Sequence, residues 1–182
     1  MRSFHSEPVF ASRMRHANRA LFVMIFAAAA TAAQAQSAGS ASGLPVPRFV
    51  SLKADKVNMH VGPAKTYETK WLYQRQGLPV EITAESENWR RIRDSDGTEG
   101  WVYHSLLSGK RTGLVTAKSP EELIPVYARA DLDSAVVAKL ERGVVGTVKR
   151  CADNWCAISG RGFDGWIQQV RLWGVYPNEK VD

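Results

Sequence analysis

The sequence predicts an all-β protein in which two small barrels follow one another along the chain. A hairpin pattern, Asn-Trp-x-x-Ile and then Gly-Trp-aliphatic, occurs at residues 88–102 and returns at residues 154–167. Short alternating apolar segments are separated by turn signals about every 8 to 12 residues, which is typical of small barrels. After the N-terminal 35 residues, helical periodicity never extends beyond a turn or two.

The spacing of the repeat defines the two barrels. Trp155 lies 66 positions after Trp89, and Ile158 lies 66 positions after Ile92. The Gly-Trp pairs at 100–101 and 165–166 are 65 positions apart, which a one-residue deletion in the preceding turn explains. A fixed spacing over a long stretch indicates an internal repeat. We therefore expect one domain at 49–108, a linker at 109–118 and a second domain at 119–176.

Each repeat predicts its own set of short strands. In the first repeat, alternation and turn residues place strands at 49–53, 57–61, 70–73, 78–83, 89–93 and 100–103, with a helical turn at 104–107. In the second repeat, the same signals place strands at 123–128, 135–140, 144–150, 155–159 and 165–168.

The N-terminal segment is predicted to be a secretory signal peptide covering residues 1–35. Arg13, Arg15 and Arg19 form a basic stretch before an apolar run at 20–33, and Ala33-Gln34-Ala35 has the small-x-small pattern of a cleavage site. The run is shorter than the roughly 20 residues that a membrane-spanning helix needs. We expect cleavage near Ala35, export to the periplasm and no membrane span afterwards. The Ser/Gly/Pro-rich stretch 36–48 is expected to be a flexible leader.

The charge of the exported part argues against nucleic acid as a partner. The whole chain has a formal net charge of +6, but residues 36–182 contain 20 Lys and Arg against 17 Asp and Glu. The exported part therefore carries only about three positive charges, with no strongly basic patch.

Cys151 and Cys156 are predicted to form a disulfide. They end and begin neighbouring strands across a tight turn, where facing positions lie within disulfide range. An exported protein meets an oxidising compartment, and a zinc site would need more ligands than this pair offers.

The motifs of the first repeat resemble those of bacterial SH3-like (SH3b) domains. The segment Val57-Asn58-Met59-His60-Val61-Gly62-Pro63-Ala64 is similar to the family's opening motif, and Gly77 and the two Trp motifs follow in the family's order. The second repeat lacks the Gly-Pro opening but ends in Leu172-Trp173-Gly174, a variant of the family. The resemblance implies a five-stranded barrel in exported bacterial proteins, whose members mostly bind peptidoglycan, peptides or partner proteins, often beside a catalytic domain.

No catalytic constellation emerges from the residues. His60 and His104, the only histidines of the exported part, are 44 residues apart, and the paired acids near 85–87 and 94–96 fall in turns. No Gly-rich phosphate loop follows a strand. We therefore predict no catalytic residues, no cofactor and no metal, and we keep an enzyme that uses Cys156 only as the least favoured alternative.

Strand parity identifies candidate ligand-binding residues. Side chains alternate between the two faces of a strand, so if Ile92 and Val102 face the core, the opposite face carries four candidates. These are Trp89, Arg91, Trp101 and Tyr103. A second candidate surface, in and after the first long loop, contains Tyr67, Trp71 and Tyr73. The competing interpretation is that the tryptophans join the two domains or cap a barrel end.

Aromatic rings stack on sugars and pack against peptide backbone, and arginine pairs with carboxylates. The residues therefore favour a non-catalytic periplasmic protein that binds peptidoglycan or a peptide. The alternative is a structural adaptor that binds another protein of the cell envelope.

Overall fold

The computed structural model describes residues 37–38 and 41–182 and shows an almost entirely β structure. The predicted signal peptide, 1–35, lies outside the described residues. The strands are β1 (Ser37–Ala38), β2 (Pro45–Val46), β3 (Arg48–Leu52), β4 (Val57–His60), β5 (Thr69–Tyr73), β6 (Pro79–Ser86), β7 (Trp89–Arg93), β8 (Glu99–Tyr103), β9 (Leu107–Ser108), β10 (Thr112–Val115), β11 (Ile124–Tyr127), β12 (Val136–Leu140), β13 (Val145–Ala152), β14 (Trp155–Gly160), β15 (Phe163–Gln168) and β16 (Leu172–Trp173).

Two seven-stranded sheets have the same strand order. The first runs β5-β4-β8-β7-β6-β3-β9, and the second runs β12-β11-β15-β14-β13-β10-β16. Each therefore contains five central strands and one further strand at each edge. Single 3₁₀ turns, His104–Leu106 and Gln169–Arg171, follow β8 and β15. The predicted tandem of SH3-like β-domains is confirmed, and so is the helical turn after β8.

Each sheet encloses its own apolar core. Alternation along the strands places Val57, Met59, Ile92 and Val102 inside the first domain, all fully buried. The equivalent interior of the second domain contains Ile124, Val126, Ile158 and Ile167. Burial of these side chains is the main favourable term in the stability of such small domains.

Four of the ten residues in the predicted linker belong to a strand of the second sheet. Strand β10, Thr112–Val115, lies inside the stretch 109–118 and pairs with both β13 and β16. This part of the predicted linker is therefore connected to the second sheet. The sequence of β10 has no alternating pattern that would predict a strand. The strand forms through its pairing with strands that are distant in sequence.

The predicted leader is ordered over the part that the structure describes. Strand β2 pairs with β1, with Ser37 opposite Val46 and Ala38 opposite Pro45. The buried carboxylate of Glu85 accepts hydrogen bonds from the backbone N–H and the hydroxyl of Ser42, at 2.8 and 2.6 Å. Part of the predicted leader is therefore bound to the first domain by a carboxylate that is distant in sequence.

The two domains pack together through aromatic rings. The ring of Phe49 contacts that of Trp173 edge-on at 5.1 Å and lies 4.7 Å from that of Tyr176. The indole N–H of Trp173 donates to the carbonyl of Pro79 at 3.3 Å. Gly174 has a φ of +116°, and a Cβ there would lie 2.3 Å from the carbonyl oxygen of Thr112. The Leu-Trp-Gly ending thus places a ring on the first domain and lets the chain pass closely beside strand β10.

The predicted disulfide is confirmed. Cys151 and Cys156 face each other in the register of β13 and β14, with Cα atoms 4.1 Å apart, and their sulfur atoms are bonded. Both residues are buried in the core of the second domain. Neither sulfur is a free thiol in this structure, whereas the alternative of a Cys156 nucleophile requires one.

Candidate functional site

A groove on the outer face of the first domain is the candidate binding site. Its volume is about 570 Å³, which lies within the usual range for small-ligand sites. The lining residues come from β4, β5, β7, β8 and the loops beside them: Lys56, Asn58, His60, Lys65, Leu72, Trp89, Tyr103 and Leu106. Two of the four residues that parity predicted on one face, Trp89 and Tyr103, therefore lie together in it.

The floor of the groove is a set of aromatic rings in edge-to-face contact. The ring of Trp89 lies 5.4 Å from His60 and 5.5 Å from Tyr103, with interplanar angles of 86° and 83°. Cross-strand register explains the second contact, because Trp89 faces Tyr103 between β7 and β8. These neighbours cover the indole and leave Trp89 only 7% exposed. Trp89 thus supports the more exposed rings and offers little surface of its own.

The loop after β4 is held by its glycine and by His60. A Cβ on Gly62 would lie 2.7 Å from the ring of Tyr67, so only glycine lets this ring pack against the chain. The Nδ1 atom of His60 lies 2.8 Å from the carbonyl oxygen of Tyr67. Because a carbonyl oxygen only accepts, Nδ1 is the donor, and in the neutral ring Nε2 is an acceptor. The Gly-Pro motif thus shapes the loop that carries Lys65, one of the residues that line the groove.

The charges around the groove are positive. Lys56 and Lys65 line it, and the Lys65 ammonium lies 5.9 Å from the centre of the Tyr103 ring, in the range of a cation–π contact. None of the eight lining residues is acidic. A groove with two ammonium groups and no carboxylate favours a ligand that carries negative charge.

The other two parity candidates line a neighbouring depression. Arg91 and Trp101 face each other in register between β7 and β8, and both line a shallow surface of about 680 Å³ with Lys70. The guanidinium of Arg91 donates to the Glu99 carboxylate at 2.6 Å. A ligand carboxylate would therefore compete with Glu99 for this arginine.

The structure exposes only two of the three residues of the second predicted surface. Tyr67 and Trp71 are exposed, at 49% and 55%, as expected. Tyr73 is buried instead, because it faces the core residue Val57 across β4 and β5, and its hydroxyl donates to Asp94 at 2.9 Å. Burial, together with the Asp94 carboxylate, raises the pKa of Tyr73 far above its ordinary value. The expectation that Tyr73 lies on the surface is wrong.

Sequence reasoning missed four of the lining residues that matter most for the chemistry: Lys56, His60, Lys65 and Leu72. Parity within β4 could have found His60, since Met59 faces the core and its neighbour must face outward. The lysines belong to loops, where no periodicity predicts direction. The competing interpretation assigned the tryptophans of the repeat to the junction between the domains. The aromatic contacts at that junction come instead from Phe49, Trp173 and Tyr176.

The equivalent place in the second domain has different chemistry. Tyr127 replaces His60 and contacts Trp155 at 5.4 Å and 88°, almost the same geometry as His60 on Trp89. Gln168 faces Trp155 where Tyr103 faces Trp89. The guanidinium of Arg150 lies over the ring of Trp166, 5.0 Å from its centre.

Other kinds of site receive no support from the part of the chain that the structure describes. Residues 37–38 and 41–182 contain no cluster of three or more His, Cys, Asp or Glu side chains able to hold a metal ion. Among the same residues, no helix is long and apolar enough to cross a membrane.

Comparison with known proteins gives a family and one curated relative. The sequence profile described as "Bacterial SH3 domain" matches residues 53–109 and 121–174. The curated relative is "Putative N-acetylmuramoyl-L-alanine amidase YrvJ" of Bacillus subtilis (strain 168), 24% identical over 125 residues. The match covers 61% of this chain and 24% of the relative, so this chain spans about a quarter of that protein's length.

Two solved structures share a weak likeness with this chain. They are NlpC1 and NlpC2 from Trichomonas vaginalis, both at 13% identity, with TM-scores of 0.33 and 0.32. The aligned parts cover 74% and 70% of this chain and 48% of each of those chains. At these TM-scores the likeness supports no argument about this protein.

Proposed function

We propose that this protein, which belongs to the bacterial SH3 domain family, is a non-catalytic protein of the cell envelope that binds peptidoglycan through the groove of its first domain. Domains of this family are cell-wall binding modules. The similarity to a protein named as a cell-wall amidase points in the same direction, although it covers only a quarter of that protein. The predicted signal peptide and the disulfide fit an exported protein.

The single observation that supports this proposal most is the combination of stacked rings and cations in one groove. Tyr103 and Leu72 offer apolar surface, while Lys56 and Lys65 offer ammonium groups, and no acid lines the groove. Stem peptides of peptidoglycan combine peptide backbone with free carboxylates. The rings would pack against the backbone, and the lysines would pair with the carboxylates.

Co-sedimentation with purified sacculi tests the proposal. Residues 36–182 should pellet with sacculi at low salt, and binding should weaken as salt rises, because ammonium–carboxylate pairs at a solvent-exposed groove are screened. Lys65→Ala should reduce the pelleted fraction. Lys139→Ala is the matched control, since Lys139 is an exposed lysine on the edge strand of the second domain. Absence of pelleting at low salt would sink the proposal.

A structural adaptor is the second candidate, and the exposed edge strands favour it. Strand β5 carries exposed Trp71 and Leu72, and strand β12 carries exposed Val136 and Val137, each at the edge of its sheet. An edge with free backbone groups and apolar side chains can pair with an extended segment of another protein. Cross-linking in the envelope that recovers one protein partner, without any sacculus binding, would favour this function over the first.

A further inference from the structure

A second cavity lies between the two domains, away from the groove around Trp89. It has a volume of about 340 Å³. On the first-domain side it is bounded by β3, β9 and the turn at 76–77, and on the second-domain side by β10, β13 and the end of β14. We call it the interdomain cleft. It is built from residues of both domains, so neither repeat contains it alone.

The walls of the interdomain cleft are held in place by direct bonds between the domains. The hydroxyl of Thr112 donates to the carbonyl of Gly77 at 2.8 Å, and the guanidinium of Arg75 donates to the carbonyl of Gly143 at 2.8 Å. The Phe49 and Trp173 rings add apolar contact at the same junction. A cavity with fixed walls loses little conformational entropy when a ligand binds, which makes it a better candidate than a gap between mobile domains.

Five of the thirteen residues that line the cleft carry a hydroxyl group. Ser51 and Thr112 already donate to backbone carbonyls, so their oxygens remain as acceptors. Ser108 accepts from the backbone N–H of Lys110, and its own proton stays available. Within the described residues, the hydroxyls of Thr147 and Ser159 have no hydrogen-bond partner. The cleft therefore offers both donors and acceptors to a ligand that is rich in hydroxyl groups.

The charge of the cleft is positive. Lys53 comes from the first domain and Lys110 from the start of the second, and no residue that lines the cavity is acidic. Neither ammonium has a salt-bridge or hydrogen-bond partner among residues 37–38 and 41–182. Two ammonium groups in a cavity that no acidic residue lines attract an oxyanion.

We propose that the interdomain cleft binds a small saccharide that carries a phosphate or carboxylate group. The two lysines pair with the oxyanion, and the hydroxyls of Ser108, Thr147 and Ser159 exchange hydrogen bonds with the sugar ring. The volume suits a single sugar unit better than a polymer. This site shares no lining residue with the groove around Trp89, so the test of one proposal does not decide the other.

NMR titration of the purified protein tests the proposal. The probes are glucose 6-phosphate, glucuronate, glucose and inorganic phosphate, followed through the backbone amides of Ser108, Gly146, Thr147 and Gly160. We expect saturable shifts at these amides with both charged sugars, at Kd values in the millimolar range that is usual for small polar ligands. Whether the phosphate or the carboxylate binds more tightly identifies which oxyanion the cleft prefers.

Lysine variants decide whether the cleft is the site. Lys53→Ala and Lys110→Ala should each weaken binding of the charged sugars about tenfold, the usual loss for a hydrogen bond to a charged group. Both side chains are exposed and unpaired, so folding should be unaffected. Lys139→Ala is the control, and Tyr103→Gln, which alters the other groove, should leave this binding unchanged.

Several results would overturn the proposal. Equal binding of glucose and glucose 6-phosphate would remove the role of the oxyanion, and equal binding of inorganic phosphate and glucose 6-phosphate would remove the role of the sugar. Shifts centred on Trp89 and Tyr103, or no saturable shifts at all, would show that the cleft is not the site.

Discussion

In the first domain Glu85 faces Arg90 across the β6–β7 hairpin, and in the second domain Cys151 faces Cys156 across the β13–β14 hairpin. The two pairs occupy equivalent positions, 66 residues apart. One hairpin is joined by an ion pair with a distance of 3.3 Å and the other by a covalent bond. The same position in one fold therefore accepts two different kinds of cross-link.

Glu85 and Cys151 each also bind a terminal segment of the described chain. Glu85 accepts hydrogen bonds from Ala41 and Ser42 in the N-terminal segment. Cys151 exchanges two backbone hydrogen bonds with Val181 in the C-terminal segment, at 2.8 and 3.1 Å. The difference is that Glu85 binds its segment through a charged side chain, whereas Cys151 uses its backbone. Only the first attachment should depend on a side-chain substitution or on pH.

The largest expected effect comes from Glu85→Gln. The Glu85 side chain is fully buried beside Arg48 and Arg90, whose side chains are 18% and 9% exposed. Removing its charge leaves two largely buried guanidinium groups without a counter-ion, which is costly. We expect the free energy of unfolding to fall by about 3 kcal/mol, measured by urea denaturation. Hydrogen exchange should accelerate at the amides of Ala41 and Ser42.

Glu87→Gln is the matched control for that substitution. Glu87 lies two residues further along, and its side chain is exposed in the turn of the same hairpin. Only its backbone carbonyl bonds Arg90, so the side chain should be replaceable at little cost. Equal destabilisation by both substitutions would contradict a specific role for Glu85.

Acid should remove the stabilisation that the Glu85 carboxylate provides. Burial alone would raise the pKa of Glu85, but hydrogen bonds from Ser42 and Arg48 and the charge of Arg90 outweigh it and lower the pKa from 4.5 to about 2. Because the folded-state pKa is depressed, the stabilisation is complete above pH 4.5 and is lost as the pH falls through 2. The stability gap between wild type and Glu85→Gln should therefore close, by about 3 kcal/mol, between these pH values. A gap that stays constant down to pH 2 would contradict this origin.

The disulfide should contribute less to the free energy of unfolding than Glu85 does. It closes a loop with a sequence separation of only 5, so the chain-entropy estimate is about 2 kcal/mol. The double substitution Cys151→Ala with Cys156→Ala should lower the free energy of unfolding by that amount, in denaturation of the oxidised proteins. The attachment of Val181 should survive, since backbone groups make it. Rapid hydrogen exchange of the Val181 amide in the variant would show that the disulfide, and not the backbone hydrogen bonds, holds the C-terminal segment.

The sequence predicted contacts well where the repeat combined with period-two alternation. Trp89 and Trp155 occupy equivalent positions, and Cys151 faces Cys156, as the spacing and the turn between them require. Both features are local, since a tight turn and strand parity determine which side chains face each other.

The sequence is least informative where long-range pairing or strand position decides the outcome. Strand β10 forms because β13 and β16 lie on either side of it, which no pattern within Thr112–Val115 reveals. Trp71 and Tyr73 share one side of β5, yet Trp71 is exposed and Tyr73 is buried. The binding of Ala41 and Ser42 by Glu85 spans more than 40 residues. Such contacts depend on the assembled fold.

The smallest expected effect tests the difference between the two outer faces. Tyr103→Gln gives the first domain the residue that faces tryptophan in the second domain, where Gln168 occupies the equivalent position. The edge-to-face contact with Trp89 and the cation–π contact with Lys65 are both lost. The groove also loses the ring surface that Tyr103 offers to a ligand. If packing of that ring on the ligand contributes about 1 kcal/mol, sacculus binding should weaken roughly fivefold. Co-sedimentation over a range of sacculus concentrations measures this change.

Thermal unfolding of the same variant separates binding from stability. Tyr103 is only partly buried, and Gln168 already occupies a strand of the same geometry, so loss of the ring contacts should lower the melting temperature by only a few degrees. The reciprocal Gln168→Tyr should not create a second binding site, because exposed Leu123 stands just before β11 where Lys56 stands before β4. If Tyr103→Gln binds sacculi as tightly as wild type, the difference between the two outer faces has no bearing on cell-wall binding. If Gln168→Tyr strengthens binding as much as Tyr103→Gln weakens it, the aromatic ring alone defines the site and the lysines do not.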